Sequence, residues 1–154
     1  MSDRHLAQFN VARLRGDESD PRMKEFYASL DPVNAVGERM EGFVWRLKNP
    51  EAQTTRWPGD KMMITNLTVW ENIESLEKFV WQTVHAKVYA RKREWLEMPK
   101  GPALVMWWIE AGTLPTLDEA IERMEHLQTY GPSEFAFGWE SVPAAKLWRE
   151  KRCA

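Results

Sequence analysis

Residues 5–14, HLAQFNVARL, place Leu6, Gln8, Asn10 and Ala12 on one side of an extended chain and His5, Ala7, Phe9 and Val11 on the other, a period of two that predicts a strand. Polar turn residues 16–20 follow, and Asp20-Pro21 then joins an N-cap side chain to a proline suited to a first helical turn. A helix is therefore expected over 21–40, with Met23, Phe26, Tyr27, Leu30, Val33 and Val36 as its apolar stripe. Asp31-Pro32 repeats the start signal and removes a backbone donor, so a kink or restart is expected at Pro32. GFVWRLKNP predicts a strand over 43–48, with Phe43, Trp45 and Leu47 on one face and Val44 and Arg46 on the other. Residues 49–61 read as a loop, and MMITNLTVWE as a strand over 62–71.

Asn72 supplies the next cap, and Ile73, Leu76, Val80, Val84 and Val88 form a slowly drifting stripe that predicts one helix over 73–95. ALVMWWIEAG is apolar on both faces and predicts a buried strand over 103–110. Thr116 and Glu119 have capping-box spacing, and Leu117, Ala120, Ile121, Met124 and Leu127 predict a third helix over 117–129, ended by Gly131-Pro132. FAFGW at 135–139 suggests a final edge strand, and AAKLWREKRCA a short helical or frayed tail.

The chain length of 154 residues fits a single domain, 1–154, and an apolar fraction of 44% against 29% charged residues fits a folded globular protein. Twenty-one Lys and Arg against 23 Asp and Glu is too even a balance for a nucleic-acid binder. No apolar run approaches the ~20 residues of a spanning helix, so no membrane partner is expected. The start of the chain lacks the apolar stretch of a signal peptide, and the lone Cys153 fits a reducing cytoplasm. Nine Trp and eight Met stand out, and they suit a wide apolar cavity, a subunit interface or a tightly filled core.

The order βαββαβ, with an additional C-terminal helix, predicts an α+β ferredoxin-like plait in which both crossover helices lie on one face of an antiparallel sheet. The opposite face would be a large apolar patch unless covered. A third helix of about 13 residues, rising about 1.5 Å per residue, spans only part of it, so a homodimer of stacked sheets, a dimeric α/β barrel, is the expected cover.

HLAQFN, DPVNA, GFVWRL, NLTVWE, FVW-x-x-VHA, REWLE and ALVMWWIEAG-x-x-PT together resemble an uncharacterised bacterial domain-of-unknown-function family of the dimeric α/β-barrel superfamily, over nearly the whole chain. That superfamily includes cofactor-independent antibiotic-biosynthesis monooxygenases, haem-handling and chlorite-dismutase-like proteins, muconolactone isomerases and stress-responsive barrels. The resemblance implies a fold and a homodimer but selects no reaction, because one scaffold hosts unrelated chemistries.

His85 is the leading candidate for chemistry. It lies one turn from Trp81 and from Tyr89, so the three can line a groove in which an imidazole acts as proton acceptor or, alternatively, as a haem ligand. Its structural role would be a core or interface histidine bonded to a backbone carbonyl or a carboxylate. Gln8 and Asn10 on the first strand, with Asn66 and Thr68 on the third, can share a face if the two strands are neighbours, either to orient a substrate oxygen or to fix register. Arg46 can receive an acidic group or pair with a surface carboxylate, Trp108 must face away from Trp107, and Trp95 can close the pocket's mouth. Gly-rich nucleotide motifs, H-E-x-x-H and G-x-S-x-G are missing, and His5, His85 and His126 have no metal-ligand spacing. The expectation is a small-molecule-binding protein for an aromatic or apolar ligand, enzymatic as a monooxygenase-like or isomerase-like catalyst without cofactor, with His85 as base and Asn10 and Gln8 as orienters. A haem-processing barrel and a sensing or assembly module are the alternatives.

Overall fold

A computed structural model describes residues 3–48, 62–97 and 101–142. The tail with Cys153 and the expected loop at 49–61 lie outside the described residues. β1 (Arg4–Leu14) pairs antiparallel with β3 (Met63–Trp70) on one side, and on the other with β5 (Leu104–Glu110) along residues 4–10 and with β4 (Leu96–Glu97) at Arg13 and Leu14. β2 (Phe43–Arg46) lies outside β3, giving the ferredoxin-like order β2-β3-β1 with β5 and the short β4 sharing the far side of β1. Gln8 faces Thr68 and Asn10 faces Asn66 directly across the β1–β3 ladder.

β2 departs from its expected alternation. Phe43 opposes Trp70 and Trp45 opposes the adjacent Val69, so Val44 is an extra residue, a bulge that changes the strand's facing. Phe43 consequently joins the helix-facing core with Trp70, whereas Trp45 and Leu47 pack on the opposite side.

Asp20 caps a 3-10 turn, Pro21–Met23, that leads into α1 (Lys24–Glu38). Pro32 lies inside α1 without restarting it; it is exposed, as is Ala28, whose carbonyl loses a partner there but can turn to water. The expected helix over 73–95 is broken into α2 (Ile73–Gln82), α3 (Val84–Ala90) and α4 (Lys92–Trp95). Thr83 makes the first break. Its backbone is extended, its hydroxyl donates to the Phe79 carbonyl at 2.6 Å, and the same oxygen accepts from the His85 amide at 3.2 Å, ending one helix and capping the next.

α1 and α2 pack on one face of the sheet, where two separate apolar clusters form. Leu6, Trp70, Met106, Ile73, Leu76 and Phe79 belong to one, and Leu14, Met23, Phe26 and Trp95 to the other. α5 (Leu117–Tyr130) lies on the opposite face against Phe9, Leu67 and Trp107. It thus covers much of the face expected to be left to a partner subunit, while Trp45, Leu47, Met63 and Ile109 at its margins remain partly exposed. The capping box at Thr116 is half made: its hydroxyl accepts from the Glu119 amide at 3.1 Å, but the Glu119 carboxylate pairs with Arg123. The expected edge strand at 135–139 is a single bridge, Met106–Phe137. Phe135 packs with the α5 cluster and Phe137 with the helix-facing one, an arrangement that two residues of equal parity in a flat strand would not adopt.

Candidate functional site

The two helix-facing clusters are parted by a band of polar and small residues in the middle of the sheet. Along β1 it comprises Gln8, Asn10 and Ala12, between Leu6 and Leu14; along β3 it comprises Asn66 and Thr68, between Ile64 and Trp70. The amides and the hydroxyl share one face because their strands are adjacent and in register. Gln8 Nε2 donates to Thr68 Oγ1 at 2.9 Å, and Asn10 Nδ2 donates to Gln8 Oε1. Trp70 Nε1, which can only donate, also reaches Thr68 Oγ1 at 2.9 Å.

Within this relay Gln8 is 3% and Thr68 6% exposed, so both are internal supports rather than surfaces for a ligand. Asn10 and Asn66 are different. Although they lie on the inner strands of the sheet, both are only partly buried. No hydrogen bond holds Asn10 Oδ1 or the Asn66 amide among the described residues, whereas buried amides are normally paired.

His85 sits just beyond the Thr83 break. Its Nδ1 lies 3.2 Å from the Val80 carbonyl, which can only accept, so the proton is on Nδ1 and the neutral ring carries its lone pair on Nε2. Burial pushes its pKa below the ordinary value of 6.5, and the Val80 contact opposes that shift only in part. The ring is 4.9 Å from Phe79 and stacks on Tyr89 at 6.1 Å, while Trp81 meets Tyr89 edge-on at 5.0 Å. Trp81 Nε1 is buried without a hydrogen-bond partner among the described residues. Phe79 also stacks on Trp70 at 5.4 Å, so an aromatic series connects His85 to the tryptophan that begins the amide relay. Trp70 and Phe79 were not singled out in the sequence, although Thr68 and Trp70 stand two apart on one strand face.

Other expected site residues fall elsewhere. Trp95 is 3% exposed in the cluster with Met23 and Phe26, which places it in a core and not at a pocket mouth. Arg46 Nε donates to Glu38 at 2.6 Å, and that hydrogen bond holds the Glu38 carboxyl below its ordinary range. Trp108 faces the helices beneath the Arg4 guanidinium at 5.5 Å, and Trp107 faces α5. An open cleft of about 510 Å³ runs along β2 between Glu38 and Lys48, and a smaller one of about 250 Å³ lies beside His126 and Tyr130; neither is lined by Asn10, Asn66 or His85. For the haem alternative, Nε2 of His85 is the nitrogen left for iron. Among the described residues no group of three or more His, Cys, Asp or Glu is arranged to hold a metal, and no helix is long and apolar enough to cross a membrane.

A family model described as Domain of unknown function (DUF3291) matches residues 5–153. The chain belongs to this family. No curated protein matches this chain. Among solved structures, a conserved protein from Methanosarcina mazei Go1 superposes with a TM-score of 0.50 at 10% identity, covering 71% of this chain and 94% of that one. SnoaB, a cofactor-independent oxygenase from Streptomyces nogalater, gives a TM-score of 0.47 at 17% identity, covering 74% of this chain and 99% of its own. PA3566 from Pseudomonas aeruginosa gives 0.49 at 13% identity, with 73% and 98% covered. At such identities the likeness concerns the fold of this DUF3291 protein alone.

Proposed function

We propose that this protein binds a small aromatic or apolar molecule between its sheet and its helical layer, with Asn10 and Asn66 as polar contacts and Trp81, Tyr89 and His85 as the aromatic side of the site. One observation carries the reading: two cross-strand partners on inner strands keep free amide atoms and solvent access between two closed apolar clusters. Central sheet positions used only for packing would be filled by apolar side chains, since unpaired amides there are destabilising. Gln8, Thr68 and Trp70 hold Asn10 in place from behind.

In its enzymatic form the site is monooxygenase-like or isomerase-like and works without a bound cofactor. Nε2 of neutral His85 accepts a proton from the substrate, and the second N–H of Asn10 Nδ2, with the N–H groups of Asn66, donates to the oxygen on which negative charge develops. The protein acts as a homodimer. Support for that comes from the partly exposed Trp45, Leu47, Met63 and Ile109 around α5.

Crystals grown with a mixture of naphthalene-sized aromatic fragments test the binding site. Density touching Asn10 and Asn66 is expected; fragment density confined to the β2 cleft or to the α5 face would overturn the proposal. Light scattering should give the mass of two chains, and a monomeric mass across the working concentration range would remove the dimer.

A further inference from the structure

We propose that the cleft along β2 is a second ligand site, one that takes a small organic acid with an apolar body and a single carboxylate. Its volume of about 510 Å³ falls within the ~300–1,000 Å³ of clefts that hold small organic molecules. Asn10, Asn66 and His85 have no part in its lining, so it stands independently of the site between the sheet and the helices. The cleft follows from the bulge in β2. This strand is the outermost on its side of the sheet, and an extra residue at Val44 bends an edge strand and re-aims its side chains. Val44, Trp45 and Leu47 accordingly supply an apolar wall, and Arg46 and Lys48 supply cations along the same cleft.

Arg46 is only partly engaged. Its Nε donates to Glu38 at 2.6 Å, but Nη1 and Nη2 have no partner among the described residues. The side chain lines the cleft and is 24% exposed, and its Nη1–Nη2 edge is the fork that receives a carboxylate through two parallel hydrogen bonds. Lys48 has no hydrogen bond or ion pair among the described residues. Its charge is nevertheless felt in the cleft: the Arg46 hydrogen bond and, more weakly, the Lys48 ammonium hold the Glu38 carboxyl below its ordinary range. Glu38 is the acidic member of the lining, and against it stand both cations, so the cleft is net positive. An organic acid gains a countercharge there, an amide gains none, and an ammonium meets like charge. An inorganic anion gains nothing from the wall of Trp45 and Leu47. Those two side chains also border the face assigned to a second copy, so the assembled protein is the form to measure.

Three near-isosteric probes test this on the full-length protein at neutral pH: 2-naphthoate, 2-naphthamide and 2-naphthylmethylammonium, titrated while the Arg46 Nε–H and Trp45 indole N–H resonances are followed by NMR. The acid is expected to move both resonances to saturation and to bind at least about tenfold more tightly than the amide or the ammonium. Arg46→Gln should remove that preference. Glu38→Gln deletes the competing carboxylate, and it should tighten 2-naphthoate at least about threefold while leaving 2-naphthamide unchanged, a gain that a misfolded variant would not give. Equal binding of acid and amide to the unaltered protein, or weaker binding of the acid to Glu38→Gln, would overturn the ligand class. Shifts that never saturate, or no shift at all because a second copy fills the cleft, would overturn the site itself.

Discussion

Replacing Thr68 by valine isolates the support behind the amide pair. Valine matches threonine in shape, so the change leaves no cavity, yet it deletes the oxygen that accepts from Gln8 Nε2 and Trp70 Nε1, both at 2.9 Å. Gln8 and Trp70 are 3% and 1% exposed, so water cannot readily replace the lost acceptor. Each stranded buried donor is worth about 1–3 kcal/mol, so Thr68→Val should lose about 2–5 kcal/mol after partial relaxation. Thr68→Ser keeps the oxygen and removes one methyl group, which should be worth about 1 kcal/mol. Urea unfolding of both variants, with unchanged dependence on denaturant, measures the difference directly. The Trp70 indole N–H should also exchange with solvent faster in the valine variant and not in the serine variant. If Thr68→Val unfolds within about 0.5 kcal/mol of Thr68→Ser, the relay is a coincidence of geometry and Asn10 has no fixed support.

Other consequences can be checked independently. Because burial lowers the His85 pKa in the folded state, the unfolded chain takes up its proton first as pH falls through about 6.5. Its contribution to stability is therefore full above that value, declines below it and stops changing under the folded pKa; His85→Asn should flatten this part of the stability profile, and an unaltered slope would refute the burial. Gly42 has φ of +90°, and a Cβ there would lie 2.0 Å from Ser75 Oγ, so Gly42→Ala should lower stability by more than about 1 kcal/mol in thermal unfolding, with an unchanged midpoint counting against the turn. Thr116→Ala removes the α5 cap and should lower stability by about 1 kcal/mol, measurable in the same scans. α3 contains only half-buried and exposed residues, His85 among the half-buried, while α2 contains several fully buried ones, so hydrogen exchange should be faster across Val84–Ala90 than across Ile73–Gln82.

The plait was legible because its strands alternate or are apolar throughout and its helices carry caps that act locally: Asp20, Asn72 and Thr116 all sit at helical starts. The polar face of β1 was legible for the same reason, since a strict period of two assigns Gln8 and Asn10 to one side before any partner is known. What failed depended on competition between local and distant partners. One inserted residue in β2 reversed the facing of Trp45 and Leu47, and no pattern in FVWRL marks Val44 as the extra one. The hydroxyl of Thr83 won over a continuous apolar stripe by bonding backbone groups on both sides of the break. Arg46 was open to two readings in the sequence, and only the folded position of the end of α1 brings Glu38 to it.

The break at Thr83 and the polar band on β1 and β3 bear on the same question, how a ligand enters. A continuous helix from Ile73 onward would carry its apolar stripe further across the sheet. Instead the fully buried positions stop at α2, and α3 packs only partly, through Val88 against the cluster of Leu14, Met23, Phe26 and Trp95. The segment is held near its far end by Arg91, which pairs with Glu25 on α1 and with Glu94, both exposed ion pairs of the kind worth about 0–1 kcal/mol. Strong packing on α2 keeps Phe79 and Trp70 fixed behind the amides, and the partial packing of α3 leaves the aromatic side of the proposed site freer to move. The division of one predicted helix into a fully packed half and a partly packed half therefore fits ligand entry at the proposed site.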